Sequence, residues 1–148
     1  MNRHPLLLLL AGMLLAGSAQ ATQADHVRAS QAWIRVLPGE LPAGAYVMLE
    51  NTGDQPARLS GADSTAYAGI MLHQSSTVGG MGRMSMVDSL AIPAHGKTEL
   101  APGGYHLMLT KPAQPVHAGE PVKISLRFDD GSTQSVDFVA RPANATGP

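Results

Sequence analysis

The chain of 148 residues contains no cysteine. This absence excludes disulfides, thiolate metal ligands and cysteine nucleophiles, and it leaves no residue to which a thioether-linked lipid anchor could attach. Charge is also sparse, with a net charge of −1. No basic run predicts nucleic-acid binding, and no basic amphipathic helix predicts binding to a membrane surface. The sequence therefore predicts neither a membrane anchor nor a nucleic-acid partner.

Motifs for catalysis are missing as well. The sequence offers no paired carboxylates, no Ser-His-Asp order and no nucleophile motif, and we therefore expect a protein that is not an enzyme. The length of the chain is that of one domain. We expect a monomer.

The N-terminus has the features of an exported protein. Arg3 and His4 precede an apolar run, Leu6–Ala16, which is too short to span a bilayer as a helix. Ala19 and Ala21 then form an A-x-A cleavage site. The sequence predicts a signal peptide over residues 1–21, a mature domain over 22–148, and the bacterial periplasm as the compartment.

The mature part shows short runs of period two, and no segment has a convincing helical period. Glycine and proline punctuate nine such runs, which are residues 31–36, 45–51, 57–62, 68–74, 83–88, 97–101, 105–110, 122–128 and 133–139. This pattern predicts an all-β domain, an antiparallel β-sandwich or Greek-key barrel of about nine short strands with no substantial helix. The last residues, about 141–148, predict a disordered tail.

Histidines and methionines concentrate in two of these regions, "HQSSTVGGMGRMSM" (73–86) and "YHLMLT" (105–110). In a strand His106 and Met108 share a face, about 7 Å apart. Gly79-Gly80 predicts the tip of a hairpin that brings His73 and Met84 side by side. One rim of the sandwich can then hold His73, Met84, His106 and Met108 together.

These side chains predict a particular metal. Thioether sulfur is soft and uncharged, and imidazole is borderline, so the set favours Cu(I). Zinc would require thiolates, more imidazoles or a carboxylate, and calcium or magnesium would require oxygens. Only the histidines compete with protons, so affinity for the metal is expected to fall as the pH drops through the imidazole pKa.

The spacing His73, ten residues, Met84, twenty-one residues, His106, one residue, Met108 resembles the H-x10-M-x21-H-x-M motif of the PCu(A)C family of periplasmic copper chaperones. "AWIRVLP", "AGAYVMLENTG" and "VKISLRFDDG" also look like family segments. The resemblance implies a cupredoxin-like fold and one exposed Cu(I) site formed by these four residues. It also implies delivery of copper to the dinuclear centre of the cytochrome c oxidase copper subunit, alone or with a thiol-based copper chaperone.

The sequence departs from the family at three places. Ser75 stands where many relatives have methionine, Met81 lies one position earlier than expected, and the tail lacks a His/Met-rich extension that would bind Cu(II). Met81 and Met86 are expected to shield the site or to pack. Cu(II) as a secondary form has one further candidate, an Ala24-Asp25-His26 terminus, which would require cleavage after Gln23.

Four interpretations compete. A copper chaperone is the first, and copper storage or buffering is its nearest alternative. A blue-copper protein is set aside because it needs a cysteine ligand, and a copper oxidase would need a substrate pocket and more imidazoles. A β-sandwich binding module without metal function would leave the methionines as packing residues.

Overall fold

The computed structural model describes residues 17–148. Within them one short helix precedes ten strands. In chain order these are α1 (Gln23–His26), β1 (Val27–Arg35), β2 (Ala43–Asn51), β3 (Ala57–Asp63), β4 (Tyr67–Val78), β5 (Met81–Met86), β6 (Leu90–Ile92), β7 (Lys97–Leu100), β8 (Tyr105–Pro112), β9 (Pro121–Phe128) and β10 (Thr133–Arg141).

The all-β prediction is confirmed, and each of the nine predicted strands overlaps an observed one. The tenth strand is β6, which period-two patterning missed because three residues give too short a run to recognise. The helix has four residues, in keeping with the expectation of no substantial helix.

The strands form one continuous path that folds back on itself. Hydrogen-bonded neighbours follow the order β5-β4-β8-β2-β1-β10-β9-β3-β6. The remaining strand, β7, pairs with β2, next to the segment of β2 that pairs with β8. β3 contacts β4 although the two strands are not hydrogen-bonded neighbours, so the path closes into two facing layers. One pairing among the described strands is parallel, that of β1 with β10, where two strands from opposite ends of the chain meet, and the other pairings are antiparallel.

Strand alternation decides which face enters the core. On β8 the side chains of Leu107 and Leu109 are fully buried between the layers, together with Ile34 of β1 and Phe138 of β10. His106 and Met108, the alternate residues of β8, therefore lie on the outer face of the sheet. The hydrophobic core and the predicted metal ligands thus occupy opposite sides of the same strands.

The two ends of the chain are described in part. The apolar run of the predicted signal peptide, Leu6–Ala16, lies outside the described residues. At the other end Arg141 closes β10, and the Arg35 guanidinium donates hydrogen bonds of 3.2 and 2.8 Å to the carbonyl of Ala145. The segment after β10 is placed against β1, where the sequence predicts a disordered tail. Over residues 17–148 we find no helix with the length and hydrophobicity to cross a membrane.

Candidate metal centre

The β4–β5 hairpin turns at Gly79-Gly80, as predicted. Val78 and Met81 are the closing pair, and both glycines have positive φ angles, 61° and 79°. Two consecutive residues with positive φ define a type I′ turn, which suits the twist of a hairpin and which glycine adopts without a steric penalty. The turn fixes the pairing of β5 with β4 and thereby the position of its methionines.

The strand register brings the two predicted histidines directly opposite each other. His73 of β4 pairs with His106 of β8 on one side and with Met86 of β5 on the other. Two residues earlier on β4, Met71 pairs with Met108. Because directly paired residues share a face, these five side chains lie together on the outer face of the sheet.

Met84 lies opposite Ser75 and not opposite His73. It nevertheless reaches the same place, since Met84, His106 and Met108 line one cavity of about 400 Å³ together with Ser75, Tyr46 and Arg35. Met84 is 52% exposed, while Met108 is half-buried. The structure therefore brings three of the four predicted ligands to one cavity.

His73, the fourth, contacts the cavity through His106. The two imidazole rings lie edge to face with their centroids 5.7 Å apart. His73 is buried, and neither Nδ1 nor Nε2 makes a hydrogen bond to any described residue. A buried polar group without a partner is costly. Burial, and secondly the neighbouring His106, lower the pKa of His73, which keeps its imidazole neutral and its lone pair free at neutral pH.

His106 is oriented by the turn that precedes it. Its Nδ1 lies 3.3 Å from the carbonyl oxygen of Gly104, which also accepts a hydrogen bond from the amide of Ser75. With Nδ1–H donating to that carbonyl, Nε2 carries the lone pair. Holding a histidine through its second nitrogen is the usual way in which proteins orient a metal ligand.

An aromatic cluster beside the histidines was not predicted as part of the site. The rings of Trp33 and Tyr46 have centroids 4.7 Å apart, and Tyr46 lies 6.5 Å from His106. The Arg35 guanidinium stands 5.5 Å from the Trp33 ring and 5.7 Å from that of Tyr46. Strand alternation was the available signal, because Trp33 and Arg35 must share one face of β1.

Gly44 makes room for this cluster. A Cβ atom at position 44 would lie 2.7 Å from the Tyr46 hydroxyl oxygen, so the ring lies across the backbone where a larger residue would displace it. Gly44 also pairs with Met108. Burial raises the pKa of Tyr46, against a smaller opposing effect of Arg35, so its hydroxyl is protonated at neutral pH.

The remaining sequence candidates lie elsewhere. Met81 pairs with the residue before the turn and lies three residues before Met84, an odd number, so it points to the opposite face of the hairpin, where it is 66% exposed. His95 forms an exposed 2.7 Å contact with Asp54. The Ala24–His26 segment lies within α1, and a helix cannot place a terminal amine, two amides and an imidazole in one plane.

The donor set of the described residues fits a soft ion better than a hard one. Among residues 17–148 no three His, Asp or Glu side chains converge to a group that could hold a metal. The cluster on the outer face has two imidazoles, and its other sulfur or oxygen donors are chiefly thioethers. Since an imidazole nitrogen lies about 2 Å from the metal that it binds, rings as close as those of His73 and His106 can share one ion.

Solved structures of the same architecture are PCuAC domains. The apo PCuAC domain of PmoF2 superposes with a TM-score of 0.68 at 22% identity, over 83% of this chain and 95% of that one. The solution structure of CuI-DR1885 from Deinococcus radiodurans superposes with a TM-score of 0.64 at 34% identity, over 89% and 87% of the two chains. These matches confirm the predicted cupredoxin-like β-sandwich.

Residues 26–140 match the family model described as "Putative lipoprotein LpqE-like". A relative with the same kind of name, "Putative lipoprotein Lxx21020" of Leifsonia xyli subsp. xyli, is 39% identical over 125 residues, which is 82% of this chain and 75% of that protein. The chain belongs to the LpqE-like family. It differs from what the family's name describes in one respect, since its 148 residues include no cysteine to carry a lipid.

Proposed function

We propose that this protein is a periplasmic copper chaperone. It binds one Cu(I) through His73, Met84, His106 and Met108 and passes the ion to a partner by ligand exchange, without catalysing a reaction. The proposed recipient is the dinuclear copper centre of the cytochrome c oxidase copper subunit, reached directly or through a thiol-based chaperone.

The observation that carries the proposal is the unsatisfied His73. Its two ring nitrogens are buried without a partner among the described residues, beside His106 and on a face lined with thioethers. A bound soft ion would satisfy a nitrogen that otherwise only destabilises the fold. Similarity to DR1885, whose structure was solved with Cu(I), supports copper as that ion.

Exposure of the thioethers supports transfer as the role of the site. Met84 is half exposed and Met86 is 71% exposed, so a partner's ligand can reach the ion from the side of β5. β5 is also an edge strand of the sheet. Incoming ligands can then replace the methionines one at a time while the two histidines, which are more deeply placed, still hold the ion.

The first test is an anaerobic Cu(I) titration of the mature protein against a chromogenic chelator. We expect one tight equivalent, with affinity reduced on the order of 100-fold or more in His106→Ala and in Met84→Leu/Met108→Leu. Met81→Leu is the matched control, because it removes a thioether that is also more than half exposed from the opposite face of the same hairpin. Equal losses in Met81→Leu and Met84→Leu would contradict the assigned site.

Delivery is tested separately from binding. The Cu(I)-loaded protein is mixed with the soluble copper-binding domain of an oxidase subunit, in the presence and absence of a reduced thiol-based chaperone, and copper is followed in the separated proteins. Appearance of copper in the oxidase domain supports delivery. Retention of copper by the donor under both conditions would favour storage or buffering instead.

A further inference from the structure

Arg35 is the charged side chain that lines the candidate metal cavity; its other described lining residues are apolar or uncharged. A fixed positive charge is unexpected beside a site for a cation, since the two repel each other. Nothing in the proposed ligand set requires a guanidinium at this place. The position therefore calls for an explanation of its own.

Arg35 is held toward the cavity from two sides. Its guanidinium lies over the rings of Trp33 and Tyr46, at 5.5 and 5.7 Å, and it donates two hydrogen bonds to the carbonyl oxygen of Ala145. Over residues 17–148 it forms no ion pair with a carboxylate, in contrast to Arg127, which pairs with Asp63. The charge is thus positioned but not neutralised.

We infer that Arg35 is a specificity-determining residue that makes the site favour Cu(I) over Cu(II). The inference rests on the proposed function, because it assumes that copper binds in this cavity. The physical basis is that Coulomb repulsion is proportional to the charge of the ion, so the guanidinium repels Cu(II) twice as strongly as Cu(I). This term adds to the preference of thioethers for the softer ion.

The size of the effect follows from the cavity. A sphere of about 400 Å³, the volume of the cavity, is about 9 Å across, so about 10 Å serves as a working separation between the guanidinium and an ion bound there. At an effective dielectric constant of about 20 to 40, one unit of charge at that distance changes an equilibrium constant about 4- to 16-fold. Loss of Arg35 should therefore change the ratio of the Cu(I) and Cu(II) dissociation constants about tenfold.

The experiment measures both dissociation constants for the wild-type protein, Arg35→Gln and Arg35→Lys, by competition with a Cu(I) chelator anaerobically and with nitrilotriacetate for Cu(II). Arg35→Gln is expected to strengthen Cu(II) binding about tenfold more than Cu(I) binding, which lowers the reduction potential of bound copper by about 59 mV. Arg35→Lys keeps the charge and is expected to keep the ratio within about threefold of wild type.

Arg83→Gln is the matched control. It removes the same charge from β5, where Arg83 is exposed and alternates with the outer-face methionines, so the ratio should change less than twofold. Deletion of residues 142–148 is a second test of the role of Arg35, since it removes the Ala145 carbonyl, which accepts the hydrogen bonds of the guanidinium, without altering Arg35 itself. It is expected to shift the ratio in the same direction as Arg35→Gln, by a smaller factor.

The outcomes distinguish failure of the inference about Arg35 from failure of the proposed function. If the wild-type protein binds Cu(I) but Arg35→Gln weakens or strengthens both ions by the same factor, the inference about Arg35 is wrong and the proposed function stands. If the wild-type protein binds no Cu(I), both fail. An equal shift in Arg83→Gln would also overturn the inference, because it would show an effect of net charge alone.

Discussion

Replacing His73 with leucine should separate the stability of the fold from its capacity to bind copper. In the metal-free protein the imidazole is buried and has no hydrogen-bond partner among residues 17–148, so it contributes an uncompensated desolvation cost. Leucine has a similar volume, can pack in the same space and carries no polar atom. We therefore expect His73→Leu to make the metal-free protein more stable while it abolishes tight Cu(I) binding.

The magnitude follows from the desolvation of one polar group. An unsatisfied buried donor or acceptor costs about 1–3 kcal/mol, and part of that cost is absent if the ring moves toward solvent. We expect a gain of about 1–2 kcal/mol in the free energy of unfolding, at a pH of about 7.5 where the imidazole is neutral. For a domain of this size the gain corresponds to an increase in Tm of about 4–8 °C.

The assay is urea denaturation of the metal-free proteins, followed by the same measurement with excess Cu(I) under anaerobic conditions. The midpoint for His73→Leu should lie about 0.5–1 M urea higher than that of the wild type without metal. With Cu(I) the order should reverse, because only the wild-type protein gains stability from binding.

His106→Leu is the matched control. His106 lies on the same face and is equally buried, but its Nδ1 has a partner in the Gly104 carbonyl. Its replacement loses a hydrogen bond and leaves that carbonyl with one partner fewer, so we expect no gain in stability. If His73→Leu destabilises the metal-free protein as much as His106→Leu does, the argument from the unsatisfied imidazole is refuted.

Three further predictions concern the same face. Met84→Leu should weaken Cu(I) binding on the order of 100-fold and Met86→Leu less than about threefold, in chelator competition, because Met84 lines the cavity; the reverse order would make the residue opposite His73 the ligand. Burial and His106 lower the pKa of His73 below its ordinary value of 6.5, so the stability of the metal-free protein should be constant above about pH 6.5 and decline as the pH falls further, because the unfolded chain takes up the proton more readily than the folded protein; urea denaturation from pH 8 to 5 measures this, and a gain in stability on acidification would contradict the lowered pKa. Gly79→Val should cost about 1–2 kcal/mol of unfolding free energy, since φ is 61° there, whereas Gly79→Asn should cost less; equal urea midpoints for the two variants would argue against the type I′ turn.

The strands were predictable because their signals are local. Alternation predicted that His106 and Met108 share one face of their strand, and the structure buries Leu107 and Leu109 on the other face. The parallel pairing of β1 with β10 was not predictable in the same way, since strand order depends on contacts between distant segments and leaves no periodic signal in either one.

The choice of the four candidate ligands depended on the family resemblance as well as on strand alternation. The pairing of His73 opposite His106 came from the structure, because the spacing of a motif does not define which strands are neighbours. Arg35 and Tyr46 were missed because each belongs to a strand with ordinary alternation, and neither is a metal ligand by type. Only the register of β1 against β2, and of β2 against β8, brings them beside His106.

The core residues and the candidate ligands lie on opposite faces of β4 and β8, which affects how substitutions at the candidate site alter stability. Leu72 and Leu107 are buried on the inner face, and the residues beside them in sequence, His73 and His106, face outward. A substitution of an outer-face methionine therefore leaves the core contacts intact. The same separation allows a costly, unsatisfied imidazole to persist, because the core stabilises the fold independently of it. The metal-free protein then carries the cost of the buried imidazole, and we predict that copper bound at the proposed site offsets this cost.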